Sequence, residues 1–263
     1  MFTTDQDFLT AWQQLGAAAG GGQTTFKRTH GVSMGEDLGR NPRLLGVVDK
    51  AMVQISVMVT SKLLERFHRF DDVAVLVDVG GGTGSTLEMI TSRYKHIRGI
   101  NFDLPHQNQT PITQLFCLSL FLYCNCSLFF CMDVVTVHLD LICVEHIAGN
   151  MFDNVPTGDA IFLKTVLHML DDNDCIKVLK YCNQALPDKG RLIAVEFVLP
   201  ATLEVTRAAQ NLYILDVMML NNSEGGKERT VQEFLKLARE SGFSGTFQST
   251  YIFGNFWALE FTN

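Results

Sequence analysis

A glycine-rich run at residues 80–84, Gly-Gly-Gly-Thr-Gly, is the first pattern with chemical potential. It follows an apolar run that ends at Val79 and precedes a helix-like run that begins at Ser85. Because glycine lacks a Cβ, such a turn lets a ligand approach backbone N–H groups closely. A dinucleotide fingerprint needs G-x-G-x-x-G, whereas Gly80 and Gly82 belong to a G-x-G-x-G pattern. That form suits a cofactor without a pyrophosphate, usually S-adenosylmethionine, although a tight strand-to-helix turn also needs glycines.

An acidic residue follows the glycines at a suggestive distance. Asp103 ends the strand-like run at 97–103, about 20 residues after the last glycine. In nucleotide-binding βαβ units an acid at this distance accepts hydrogen bonds from ribose hydroxyls. The alternative is a surface aspartate at the end of a strand. Together with the glycines, Asp103 favours a nucleoside-containing cofactor.

The elements around these residues alternate between strand and helix. Residues 7–70 look mainly helical, and after residue 73 apolar strand patterns alternate with helical ones. Strands are predicted at 73–79, 97–102, 144–148, 160–164, 191–198, 246–252 and 256–261, and helices at 85–94, 172–185, 207–220 and 231–241. This alternation indicates an α/β fold with a mainly parallel sheet covered on both faces. Ligands then bind beyond the C-terminal strand ends, where the glycines and Asp103 lie.

Composition excludes several classes of protein. Of 263 residues, 47% are hydrophobic and 19% charged, which is typical of a globular chain. The net charge of −7 argues against nucleic acid and anionic membranes as main partners. The first residues show no signal peptide, and the seven cysteines lack paired spacing, so we expect a cytoplasmic protein with reduced thiols.

An ordered set of motifs resembles one family. The segments VDVGGGTGSTLEMI, GINFDLPH, VEHIAGNMF, GDAIFLKTVLH, ALPDKGRLIAVEFVLP and GGKERTVQEF are similar to those of plant caffeate-type O-methyltransferases, from Phe8 to Phe261. The resemblance implies a Rossmann-like class I methyltransferase sheet with S-adenosylmethionine as cofactor, a small phenolic substrate and a homodimer. It divides the chain into a short helical segment at 1–70, which would lead to a dimerisation domain, and a methyltransferase domain at 71–263.

The resemblance also implies a catalytic group. A phenol has a pKa of about 10 and needs a base at neutral pH. In the family this base is the histidine of a K-W-x-x-H-D-W motif, which corresponds here to His168, although Thr165, Met169 and Leu170 replace its tryptophans and aspartate. A histidine after a strand can instead be structural.

Two glutamates would flank the ring of His168 and fix its tautomer. By motif they are Glu196 and Glu228. Alternatively, Glu196 is a surface charge at a strand end, and Glu228 belongs to a helix start at which Thr230 and Glu233 form a capping box. No metal site is implied, because no cluster of ligands accompanies these carboxylates.

The remaining site residues follow from the resemblance alone. Lys164 corresponds to a lysine on the cofactor side. Asn150 stands where the family has an acid that meets the adenine, and its carbonyl oxygen keeps an acceptor. Met151 corresponds to a residue that packs on the adenine, and Met219 to a methionine of the substrate wall. Both methionines are equally consistent with core packing.

Two departures from the family leave alternatives open. The family has a helical domain before the position of Phe8, and its loss would expose apolar surface. An atypical hydrophobic insert at 107–143, rich in Phe, Leu, Cys and Ser, separates two motifs, and our hypothesis is that it is translated intron. Its apolar run at 115–131 is short for a membrane span. The alternatives to O-methylation are therefore N-methylation of a small aromatic substrate, or a catalytically impaired product.

Overall fold

The computed structural model describes residues 2–18, 23–105 and 144–263. Its helical elements are a 3-10 turn Phe2–Thr4, α1 Gln6–Trp12, α2 Leu15–Ala18, α3 Thr25–His30, α4 Met34–Leu38, α5 Pro42–Arg66, α6 Ser85–Arg93, a 3-10 turn Leu167–Met169, α7 Asp172–Ala185, α8 Arg207–Asn222 and α9 Val231–Glu240. Its strands are β1 Val75–Val79, β2 Arg98–Asp103, β3 Val144–Ala148, β4 Ala160–Lys164, β5 Arg191–Leu199, β6 Arg229–Thr230, β7 Phe247–Phe253 and β8 Phe256–Thr262. The insert predicted at 107–143, with its candidate span, lies outside the described residues.

The strands form one mixed sheet in the order β3-β2-β1-β4-β5-β8-β7. Strands β1 to β5 pair in parallel, and β8 runs antiparallel to both β5 and β7. The two-residue strand β6 pairs with the end of β5. The predicted α/β class with a mainly parallel sheet is confirmed, and all C-terminal ends of β1 to β5 meet at one edge.

Hydrophobic clusters cover both faces of the sheet. Leu76 and Phe162 face α5 and α6, whereas Val77 and Ile161 face α7 and α9. This alternation follows from the two-residue period of a strand. A third cluster lies among the N-terminal helices and α8 and includes Phe8, Phe26, Leu44, Met218 and Met219.

Helix α5 is the longest helix of the described residues. By length and composition alone it could cross a membrane. Its side chains Val59 and Leu63 are fully buried against the sheet, however, together with Leu87 of α6. Val57 and Met58 of the same helix are 46% and 47% exposed, so α5 packs on the sheet with one face.

The short helices α3 and α4 were not predicted individually. Each begins at a hydroxyl cap, since Thr24 accepts from the backbone N–H of Lys27 and Ser33 from that of Glu36. At Ser33 and Glu36 both halves of a capping box are present. Local capping therefore sets these helices, which are too short to show a clear apolar period.

Candidate active site

The glycine run forms the turn between β1 and α6. Gly80, Gly82 and Gly84 have φ values of 72°, 57° and 83°, a region that only glycine adopts without strain. A Cβ on Gly80 would lie 2.8 Å from Cγ2 of Val166, which follows β4. The glycine turn is therefore packed directly against the segment that carries His168.

A buried acid, Asp78, lies beneath this turn and was not selected from the sequence. Its side chain is 1% exposed, and neither carboxylate oxygen has a hydrogen-bond partner among the described residues. A Cβ on Gly81 would lie 2.1 Å from Oδ1 of Asn101 and 2.7 Å from Oδ2 of Asp78. An acid at the end of an apolar strand, just before a glycine run, was the available signal.

Burial raises the pKa of Asp78 to about 7, partly opposed by the positive charge of Lys164. Lys164 itself ends β4, and burial lowers the pKa of its ammonium group, while the carboxylates of Asp78 and Glu196 act in the opposite direction. These three ionisable side chains therefore share one poorly solvated region at the C-terminal edge of the sheet.

Asp103 lies at the same edge and contacts the glycine turn. Its Oδ2 accepts from the backbone N–H of Gly82 at 2.7 Å, and its Oδ1 from that of Leu104 at 2.6 Å. Asn101 supports the turn as well, because its Nδ2 donates to the carbonyl oxygen of Gly82 at 2.9 Å. The structure thus brings together Gly80, Gly82 and Asp103, as the spacing implied.

His168 lies in the 3-10 turn that follows β4, and its side chain is largely buried. Its Nδ1 is 2.9 Å from Oε1 of Glu228, which is 2% exposed. Burial acts to lower the pKa of His168, but the hydrogen bond to Glu228 and the charges of Glu196 and Glu228 outweigh it and raise the pKa. Because the carboxylate accepts at Nδ1, the free Nε2 of a neutral ring is the proton acceptor.

Glu228 also precedes the predicted capping box, which is present: Thr230 and Glu233 bond reciprocally at the start of α9. The two interpretations of this segment are therefore compatible. The box fixes the start of the helix, and Glu228, two residues earlier, faces His168.

Glu196 does not hold the imidazole ring through a hydrogen bond, contrary to expectation. It is fully buried, and its Oε1 accepts from the backbone N–H groups of Val166 and Leu167 at 2.9 and 2.8 Å. Its Oε2 has no hydrogen-bond partner in the part of the chain described. Burial raises the pKa of Glu196, whereas His168 and the two N–H groups act to lower it.

The other residues implied by the resemblance have mixed surroundings. Asn150 is engaged locally, since its Nδ2 donates to Asp153 and its Oδ1 accepts from the backbone of Phe152. Met151 packs against the core beneath the sheet. Met219 is 5% exposed and packs in the cluster between α8 and the N-terminal helices.

Comparison with known proteins decides the family. Residues 12–119 and 116–244 match the O-methyltransferase domain family. The chain belongs to that family. A caffeate O-methyltransferase-like protein 2 from Oryza sativa subsp. japonica is 53% identical over 100% of this chain and 67% of its own length. The predicted resemblance to plant caffeate-type O-methyltransferases is confirmed.

Two further matches bear on fold and activity. A probable inactive methyltransferase, also from Oryza sativa subsp. japonica, is 49% identical over 99% of this chain and 63% of its own length. The crystal structure of LaPhzM matches with a TM-score of 0.82 and 25% identity, over 99% of this chain and 70% of that one. The chain thus spans about two thirds of the length of these relatives.

Proposed function

We propose that this chain transfers the methyl group of S-adenosylmethionine to a hydroxyl of a small aromatic acceptor, with His168 as the general base. The observation that carries the proposal is the buried contact between Nδ1 of His168 and Oε1 of Glu228, at 2.9 Å. It lies at the edge of the sheet where the glycine turn begins. A base and a cofactor turn are therefore adjacent.

The residues present fit this cofactor. Asp78 offers a buried carboxylate without a hydrogen-bond partner among the described residues, suited to a cationic ligand group. A Cβ on Gly82 would meet no atom of the described residues within 4 Å, so the turn leaves space for a ligand at that position. Asp103 has a carboxylate at the position from which a ribose hydroxyl would be bound. The cofactor, when bound, supplies a methyl group on a sulfonium ion, which carries a positive charge.

The base is matched to a phenol. A hydroxyl with a pKa of about 10 is a poor nucleophile at pH 7, so removing its proton raises the rate. Glu228 stabilises the imidazolium that results when Nε2 of His168 takes that proton. The raised pKa of His168 makes it a stronger base, although a larger fraction of rings is then protonated at neutral pH.

The test is methyl transfer to a catechol from S-adenosylmethionine labelled in its methyl group. Purified parent and His168→Ala are compared, with His30→Ala as a matched control, since the ring of His30 contacts the backbone of Asp7 and the ring of Phe26 in the N-terminal helical segment. We expect transfer by the parent and the control, and a loss of about 100-fold or more in His168→Ala. Equal rates in all three proteins would contradict a role for His168 as the base.

The second candidate is a catalytically impaired protein that still binds the cofactor. It is favoured by the relative described as a probable inactive methyltransferase, and by Met169 and Leu170 in place of the motif residues. Calorimetric titration with S-adenosylmethionine separates the cases. Binding of S-adenosylmethionine without methyl transfer to any catechol supports the impaired protein. Methyl transfer to an aromatic amine that persists in His168→Ala supports a nitrogen acceptor instead.

We further propose a cytoplasmic homodimer that acts on phenolic substrates. The apolar side chains Leu203, Val205 and Ile214 are 87%, 88% and 62% exposed and supply a surface that a partner could cover. Light scattering on the purified protein measures its mass. A monomer at all concentrations would remove the dimer from the proposal.

A further inference from the structure

The turn that carries His168 begins with a strained residue. Thr165 has φ of 54°, which is unfavourable for a β-branched side chain. The chain then enters the 3-10 turn Leu167–Met169. Such a conformation persists only where surrounding contacts determine it. The contacts that hold this turn are therefore important for the direction of the His168 side chain.

At its start, the turn is held by the buried carboxyl group of Glu196. Oε1 of Glu196 accepts from the backbone N–H groups of both Val166 and Leu167, at 2.9 and 2.8 Å. Glu196 itself lies on β5, next to β4 in the sheet. One carboxyl oxygen thus fixes two successive N–H groups immediately before His168.

On the other side, the turn is held by a buried cation. The side chain of Arg229 is fully buried and is the largest such side chain of the described residues. Its Nη1 donates to the carbonyl oxygen of Leu167, and its Nη2 to that of Leu170, both at 2.7 Å. The planar guanidinium therefore bridges Leu167, the first residue of the turn, and Leu170, the residue just after it.

Neighbouring groups complete this arrangement. Nε and Nη2 of Arg229 also donate to Oδ1 of Asp172, at 3.1 and 2.9 Å. The backbone N–H of Lys227 donates to the carbonyl oxygen of His168 at 2.9 Å. The thiol of Cys175 donates to the carbonyl oxygen of Leu167, and burial raises its pKa to about 12, so it remains a thiol.

These bonds reach backbone atoms, so they do not depend on the side chains of the turn. Thr165, Met169 and Leu170 differ from the family motif, yet the same N–H and C=O groups would be available with any residue there. The chain can thus keep His168 in place without the motif's aromatic neighbours.

We propose that Arg229, together with Glu196, is a positioning residue that holds the backbone of the turn carrying His168 and so directs the ring towards Glu228. The inference rests on the proposed function, because it assigns a purpose to the position of His168. Arg229 follows Glu228 directly, so one short segment supplies both the partner of the ring and the cation beneath its turn. Neither residue needs to touch the substrate.

The test compares Arg229→Lys with the parent, with Arg191→Lys as a matched control. Arg191 is also a largely buried arginine, 13% exposed and paired with Asp72, but it starts β5 at the opposite end of the strand. Lysine keeps the charge but cannot bridge two carbonyl groups and a carboxylate in one plane. The measurements are S-adenosylmethionine affinity, kcat and KM for a catechol, and the ring pKa of His168 by NMR.

We expect Arg229→Lys to bind S-adenosylmethionine as the parent does, to lower kcat about 10- to 100-fold with a smaller change in KM, and to lower the ring pKa of His168. Arg191→Lys should change none of these. A folded Arg229→Lys protein with unchanged kcat and ring pKa would overturn the proposal. The ring pKa does not require activity, so failure of the proposed function and failure of this inference are distinguishable.

If Arg229→Lys does not fold, Asp172→Ala replaces it. That variant keeps Arg229 and removes one of its anchors, and Asp174→Ala is its control in the same first turn of α7. We expect the same changes in kcat and in the ring pKa of His168, at smaller size. If Asp172→Ala matched Asp174→Ala in both measurements, the positioning role would be rejected.

Discussion

Replacing Glu228 with glutamine is the most informative perturbation of the proposed site. The amide oxygen of Gln can still accept from Nδ1 of His168, so the 2.9 Å contact can persist while the charge is lost. A charge-assisted hydrogen bond contributes about 1.5–3 kcal/mol, and a neutral one about 1 kcal/mol. Because the partner is buried, the difference acts on the imidazolium with little screening by water.

For catalysis, the difference between the two kinds of bond, about 0.5–2 kcal/mol of imidazolium stabilisation, corresponds to a decrease in kcat of roughly 2- to 30-fold. Glu228→Gln also removes a group that raises the pKa of His168. The rise of kcat with pH should therefore occur at lower pH in the variant than in the parent. Steady-state kinetics from pH 5 to 9 measure both effects, and Glu224→Gln, at an exposed ion pair with Lys27, is the control.

Stability should change in a defined pH window. The pKa of His168 is higher in the folded protein than its value of about 6.5 in the unfolded chain. The pair of His168 and Glu228 therefore stabilises the fold fully below about pH 6.5, and this stabilisation is lost as pH rises through the folded pKa of His168. Glu228→Gln should therefore lose more unfolding free energy at pH 5.5 than at pH 9, measured by urea denaturation. A loss independent of pH, with an unchanged kinetic profile, would refute the reasoning.

Three further predictions concern the backbone and the buried acid. Thr165→Gly should raise the unfolding free energy by about 1 kcal/mol by relieving its φ of 54°, and a decrease in urea denaturation would contradict this. Because the pKa of Asp78 is about 7 in the fold, the parent loses unfolding free energy as pH rises from 4 to 7, and Asp78→Asn should become more stable than the parent by up to about 4 kcal/mol. Calorimetry should show weaker S-adenosylmethionine binding by the same variant. Parallel curves of stability against pH would argue against this prediction. Gly81→Ala should abolish S-adenosylmethionine binding, since its Cβ would lie 2.1 Å from Oδ1 of Asn101. Gly46→Ala is the control, because a Cβ at that helical position meets no atom within 4 Å. Retained affinity in Gly81→Ala would count against the glycine turn as the cofactor site.

Much of the fold was predictable because apolar runs of strand and helix length follow one another along the chain. The strand predicted at 97–102 is β2, Arg98–Asp103, and the helix at 172–185 is α7 with the same bounds. The two-residue strand β6 was not predictable, because it forms only where β5 provides a partner. Tertiary pairing, not local propensity, determines such an element.

The site was predictable at the level of residue types and strand ends. Gly82 and Asp103 contact each other, and so do His168 and Glu228. The position of Glu196 was not predictable in detail, because its partners are backbone N–H groups that leave no side-chain pattern. The position of Arg229 was not predictable either, because its acceptors include two carbonyl oxygens. Arg229 is part of the GGKERT motif, but the motif assigned it no role.

The central claim is that His168 acts as the base beside a cofactor turn. Titration calorimetry with S-adenosylmethionine, followed by a methyl-transfer assay with a catechol, on the parent and on His168→Ala tests it most directly. The account predicts equal cofactor affinity in both proteins and transfer only by the parent. Cofactor binding with equal transfer by both, or a folded parent that binds no S-adenosylmethionine, would contradict it.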